Sequence, residues 1–347
     1  MELNELTADR PAPAGAPRPA GASPPTSWRR SVGVGLGLAM LVGVLVTAFA
    51  WPPAESAPRD IPVVIAGSAE ATTQLEQQLA TAMPGALEIE RATDADAARQ
   101  LIRDRDAYGA IVLESDSSPQ VLIASAGSPV VAQLLNGIAD QLAEQAAGTP
   151  APRVEDVVPL SEDDPRGSVF TAAALPMVIG GMVVGILLSF VVAGVWRRIA
   201  GALAAAVTAG GVITLVTQAW LGALDGNPWA NAGAAGLVIA AISMTMIGLV
   251  ALIGPAGIGI GAVIMFLIGN SLSGVASAPE MLPTGWGTFG QLLPAGAGGT
   301  LLRSTAYFDG AAASGPVLVL AAWLIIGLVL AALGRRFRPA SHHAIAG

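Results

Sequence analysis

The sequence predicts an α-helical membrane protein with six transmembrane helices and an inserted extracytoplasmic α/β domain. Three observations predict it. Of 347 residues, 53% are hydrophobic and only 12% charged, against roughly 25% charged in a soluble domain. The charges are segregated: residues 52–168 hold 19 of the 25 acids and 7 of the 17 arginines, a net of −12. The arginines that flank the apolar runs fall on one side when the chain is threaded six times through a bilayer.

Composition also excludes several chemistries. All 17 basic residues are arginine, so neither a phosphate-binding P-loop lysine nor a Schiff base is available. Cysteine is absent and the only histidines are His342 and His343. Thiol catalysis, structural zinc and a Ser-His-Asp triad are therefore not expected; an enzyme here would have to work mainly with carboxylates, and no catalytic, cofactor-binding or metal-binding residue is singled out.

Residues 1–28 carry Pro11, Pro13, Pro17, Pro19, Pro24 and Pro25 among Ala, Gly and Ser. Such a mixture buries too little apolar surface to order itself and reads as a disordered cytoplasmic tail. Residues 31–51 then run without charge, enough helix to cover about 30 Å, the thickness of a hydrocarbon core. A cleaved signal peptide competes with this reading, because Arg29 and Arg30 precede the run and Ala48-Phe49-Ala50 imitates a cleavage site. The stretch exceeds the usual signal core of about 7–15 residues. Trp28 and Trp51 at its two ends fit a span anchored at both interfaces.

Residues 52–168 have the periodicity of an α/β domain and its linker. Residues 61–65 read as a buried strand. Ala71, Leu75, Leu79 and Met83 fall on one face of a helix, and Leu87 and Ile89 alternate with Glu88 and Glu90 as in a half-exposed strand. A helix over residues 94–104 leads into strands at 110–113 and 121–123, and Val131, Leu134, Leu135, Ile138 and Leu142 align on a third helix. Strands alternating with helices predict a parallel or mixed sheet. Residues 149–166, rich in Pro, Glu and Asp, read as a solvated linker.

Five further spans are expected near 169–195, 199–221, 231–253, 257–277 and 315–334, with a turn at Gly254-Pro255. Arg29, Arg30, Arg197, Arg198, Arg335, Arg336 and Arg338 then share the cytoplasmic side, while Asp225, Glu280 and Asp309 lie outside with the acidic domain. Residues 335–347 form a cytoplasmic tail. Residues 278–314 are neither a clean span nor a polar loop. Their prolines forbid one continuous helix, and their aromatic and apolar residues suggest an outer re-entrant hairpin.

One N-terminal span, a large outer α/β domain, five more spans and this hairpin resemble the ABC-2-type transporter permeases, in the branch of the YhgE/Pip-like membrane proteins. The hairpin signature is Pro279, Glu280 and Pro283, then Pro294 after Leu293, then Arg303. The run Ala97 to Ile102 leading into Tyr108-Gly109-Ala110 also looks like that family's helix-to-strand join. The resemblance implies a permease subunit of an exporter in the bacterial plasma membrane, powered by a separate cytoplasmic ATP-hydrolysing subunit. It implies a homodimer or paralogue heterodimer among membrane lipids, with no nucleic acid and no cofactor. Trp196, Arg197 and Arg198 in the first cytoplasmic loop become the candidate ATPase contact. The family's amphipathic helix before the first span has no counterpart in proline-rich residues 1–28. The alternative is a non-transporting membrane protein whose outer domain binds a partner or supports envelope assembly.

No expected span has an ionisable residue near its middle, which disfavours a proton-driven carrier needing a titratable relay. Glu280 and Arg303 stand as a pair, as contacts for a polar substrate headgroup, or as rim charges that are merely solvated or snorkelling. The pairs Gly33/Gly37, Gly181/Gly185 and Gly257/Gly261 have the spacing that lets helices approach closely. The cluster Glu162-Asp163-Asp164 reads as solvated linker, with weak cation binding as its alternative.

Overall fold

A computed structural model describes residues 26–113, 118–145 and 152–337. Most of the expected N-terminal tail, the start of the linker, and Arg338, His342 and His343 lie outside the described residues. Helix α1 spans Trp28–Ala54 and runs unbroken through Ala48-Phe49-Ala50. The chain divides into two compact units between Val46 and Thr47. In the first, the apolar side chains of Val32, Leu36, Met40 and Val44 are exposed.

In the second unit, β1 (Ile61–Gly67), α2 (Ala69–Ala82), β2 (Leu87–Ala92), α3 (Ala95–Asp104), β3 (Gly109–Leu113), β4 (Gln120–Ile123), α4 (Pro129–Gln145) and β5 (Arg153–Asp156) build the α/β domain. Its sheet has the order β2-β1-β3-β4-β5. β1 lies parallel to β2 and β3, β4 runs antiparallel to β3, and β5 is parallel to β4. Successive strand residues point to opposite faces, so Ile61, Val63 and Ile65 pack with Leu75 and Leu135 on one side. Val64 and Ala66 pack with Ile102 and Leu122 on the other. Helix starts are fixed by side chains that accept otherwise unpartnered backbone N–H groups: Ser68 caps α2 and Asp94 caps α3.

Within the segment read as a linker, residues 153–156 form strand β5. Arg153–Asp156 offers a single apolar residue, Val154, and so carries no alternation to read. Its place at the sheet edge is fixed by backbone pairing to β4 and by Arg99, whose guanidinium meets Glu155 at 2.8 Å. The acidic run that follows is not simply solvated either. Asp164 is buried and accepts hydrogen bonds from the backbone of Ser168 (2.8 Å), Val169 (2.9 Å) and Phe170 (3.2 Å) and from the Ser168 hydroxyl (2.9 Å). It thereby satisfies the orphan donors at the start of the next helix.

That helix is α5 (Ser168–Val191), followed by α6 (Val195–Thr214), which a π turn extends to Trp220, and α7 (Pro228–Ile253). After Gly254-Pro255 come α8 (Ala256–Ala262), a π turn (Val263–Ile268) and the short α9 (Gly269–Ser271), and the bundle closes with α12 (Ser314–Phe337). Helix α7 is central and buried over most of its length. Small residues bring its neighbours close: Gly181 meets Ile242, Gly185 meets Met246, and Gly327 and Gly334 of α12 lie on the backbone at Met244 and Ala251. Gly257 and Gly261 face Leu249 and Met246. These two pairs therefore serve packing within one chain.

Among the described residues, five helices are long and apolar enough to cross a membrane: Trp28–Ala54, Ser168–Val191, Val195–Trp220, Pro228–Ile253 and Ser314–Arg336. They give the chain the character of a multi-pass membrane protein. The span expected at 257–277 is shorter, an apolar helix over Ala256–Ser271, or about 24 Å. Beyond it the chain turns at Gly274 (φ 66°), and Val275 and Ala278 are apolar because protein buries them. A hydropathy pattern does not distinguish that burial from contact with lipid. Arg197 and Arg198 lie in the first turn of α6, since the preceding break is only Val192 to Gly194.

Residues 278–314 hold a 3-10 turn (Pro279–Met281), α10 (Trp286–Gln291) and α11 (Pro294–Tyr307). Pro279 and Pro294 open their helical turns, where a missing N–H costs nothing. Helix α11 is buried along α7, with Gly298 against Val238 near the middle of that helix.

Candidate functional site

At the C-terminus of α3 the chain reverses through Arg105, which adopts a left-handed conformation (φ 68°) while its backbone N–H caps Ile102 and Leu101. Three residues later the Tyr108 backbone N–H bonds to the Pro62 carbonyl at 3.0 Å and starts β3. This turn carries Arg105 and Tyr108 on the side of the domain that meets the hairpin. Between the two lies a cleft of about 490 Å³.

The hairpin supplies the opposite wall, and its apolar residues complete the α/β domain's core. Ala278 and Met281 join the cluster around Ile61 and Leu135, and Phe308 joins the one around Ile102 and Leu122. The Tyr108 hydroxyl donates to the Glu280 carboxylate at 2.9 Å. Arg59 donates to the carbonyls of Ala57 (3.1 Å), Met281 (3.3 Å), Leu282 (3.0 Å) and Glu55 (3.0 Å), clamping the domain's first residues to the hairpin turn.

Deeper in the cleft, Arg105 donates to the Thr300 carbonyl at 3.0 Å and to the Ser304 hydroxyl, with its guanidinium 5.1 Å from the centre of the Phe308 ring. Arg303 is almost fully buried; it donates to the Val275 carbonyl at 3.0 Å and lies 4.8 Å from the centre of the Phe170 ring. Burial pushes the Arg105 guanidinium below the usual arginine range, partly offset by the nearby Tyr108 and Glu280. Burial, followed by the adjacent Glu280 charge, raises the Tyr108 phenol well above its ordinary value. Tyr108 is thereby kept as a donor.

Four of the five hairpin residues singled out from sequence, Pro279, Glu280, Pro283 and Arg303, line this cleft. Pro294 instead starts α11. The Glu280–Arg303 pair does not form. Among the described residues the ion pairs are Arg91–Glu76, Arg99–Asp96 and Arg99–Glu155, and Glu280 is taken by Tyr108. Sequence reading missed Arg59, Arg105, Thr300 and Phe308, because partners some 200 positions apart leave no local pattern.

At the opposite end of α6, Trp196 is exposed and Arg335 of α12 stacks 6.0 Å from the centre of its ring, beside a groove of about 630 Å³. Arg197 is exposed, whereas Arg198 is half-buried and donates to the Val192 carbonyl at 2.7 Å. Of the expected contact, Trp196 and Arg197 are the two exposed residues. Compared with protein-family models, curated proteins and solved structures, the chain shows no match.

Proposed function

We propose that this chain is the membrane-spanning permease subunit of an ABC-2-type exporter, driven by a separate cytoplasmic ATPase and working as a dimer with a second copy or a paralogue. The observation that carries the reading is continuous packing from end to end. The α/β domain rests on the hairpin, the hairpin's α11 lies along the central α7, and α7 packs on α6 and α12, whose far ends present Trp196 and Arg335. In this reading, movement at that far end reaches the cleft through these packed elements.

In this reading the α8 to α9 segment is the fifth of six crossings. It is short because the hairpin covers its outer end. The α/β domain and the cleft face the outside of a bacterial plasma membrane, and both termini face the cytoplasm. Trp196 and Arg197 receive the ATPase, and the chain itself performs no catalysis.

The test is co-purification of the full chain with a cytoplasmic ATPase and measurement of its hydrolysis rate. The ATPase is expected to bind and to hydrolyse ATP at a changed rate, with Trp196→Ala and Arg197→Glu reducing that change. A chain bound to no ATPase but retained on an envelope partner would favour the non-transporting alternative.

A further inference from the structure

Three arginines, Arg59, Arg105 and Arg303, and three carboxylates line the cleft, but the charges are not paired off there. Arg303 is only 6% exposed, yet of its five donors the described residues accept from one, at the Val275 carbonyl. Arg105 spends its bonds on a carbonyl and a hydroxyl. Among the described residues neither guanidinium has a carboxylate within ion-pair distance. Three carboxylates do line the cleft, but Glu280 is engaged by Tyr108, and Asp60 and Asp106 are exposed residues. Buried charges are ordinarily paired, since an isolated one is costly to desolvate.

We infer that Arg105 and Arg303 form a binding site for an anionic phosphate group that enters this cleft. Two guanidiniums offer planar sets of N–H donors suited to the several oxygens of a phosphate, and such charge-assisted bonds are roughly twice as strong as neutral ones. The remaining wall includes apolar groups, Leu282, Pro283 and Phe308, which suit the carbon adjoining a phosphate ester. Nearby on the hairpin, Trp286, Phe289 and Leu292 are exposed, and Trp51 meets Trp286 edge-on at 5.8 Å. Exposed aromatic and aliphatic groups of this kind belong at the level of lipid headgroups. The phosphate therefore comes from a phospholipid headgroup or from a free phosphate, and the two share one recognition chemistry.

This inference goes beyond the transport reading and does not depend on it, because it requires neither an ATPase nor movement of cargo. The full chain is purified in a maltoside detergent, which carries no phosphate, and its thermal transition followed as inorganic phosphate is added, and separately as phosphatidylglycerol is added to the micelles. Stabilisation by phosphatidylglycerol alone identifies the headgroup; stabilisation by inorganic phosphate identifies the free ion. Arg105→Gln and Arg303→Gln are expected to weaken either effect at least about tenfold. Glu280→Gln, which removes a negative charge from the cleft wall, is expected to strengthen it several-fold. If Arg303→Gln does not fold, Arg105→Gln and Glu280→Gln decide the matter, since a purely structural role would not make the Glu280 variant bind more tightly. Absence of any response to either anion by the unmodified chain overturns the inference. So does an undiminished response in Arg105→Gln.

Discussion

Tyr108 and Glu280, 172 positions apart, meet in a 2.9 Å hydrogen bond in which the phenol donates to the carboxylate. The bond joins the residue just before β3 to the turn at the hairpin's start. Together with Arg59 and the apolar residues Ala278, Met281 and Phe308, it makes the hairpin an integral part of the α/β domain. The cleft is therefore walled by elements that hold one another in place.

Tyr108→Phe removes the donor and leaves Glu280 without its partner, a loss of about 1–2 kcal/mol. The effect depends on pH. Because the native phenol titrates above its unfolded value of about 10, both states are protonated below that pH and the native preference for the proton is fully expressed. Above it the unfolded chain ionises first, so stability falls as pH rises. Thermal unfolding between pH 8 and 11 should show a decline that is shallower in Tyr108→Phe.

Asp164 gathers four donors at the start of α5 from a buried position. Asp164→Ala strands them and is expected to destabilise the protein by about 2 kcal/mol. Asp164→Asn, which keeps one acceptor oxygen, should cost less. Unfolding midpoints in detergent, compared at one pH, check the order.

Gly327 lets α12 lie on α7, and a Cβ there would overlap the Met244 backbone. Gly327→Ala should cost about 1–3 kcal/mol by forcing the helices apart. Gly315→Ala, in open space on the same helix, should be neutral or slightly stabilising. The contrast is read from the thermal midpoint of each purified variant.

The chain contains no cysteine, so single cysteines report topology without background. An Asp104→Cys protein should be labelled by an impermeant maleimide added outside intact cells. Arg197→Cys should be labelled only after the membrane is permeabilised. Labelling of both from the same side would mean that α5 does not cross and would overturn the count of six crossings.

Much of the fold was legible in the chain because its signals are local. The apolar run at residues 61–65 marks β1, Gly254-Pro255 ends α7, and runs of uncharged residues mark the long helices. Strand β5 and the end of α9 were not legible. The first is fixed by pairing with a distant strand, and the second by a turn whose apolar residues are buried in protein. At the site, the hairpin prolines, Glu280 and Arg303 were visible as unusual residues in an apolar stretch, but their partners were not.

The sequence by itself determined the segregation of charge, the apolar helices and the alternating domain, since each depends on the free energy of moving a residue between water and an apolar phase. Tertiary structure alone decided that Glu280 meets Tyr108 instead of Arg303, and that Arg105 and Arg303 share a cleft without a carboxylate partner. Hydrogen bonds and charge contacts act over a few ångströms, and only the folded chain brings residues about 200 positions apart within that range.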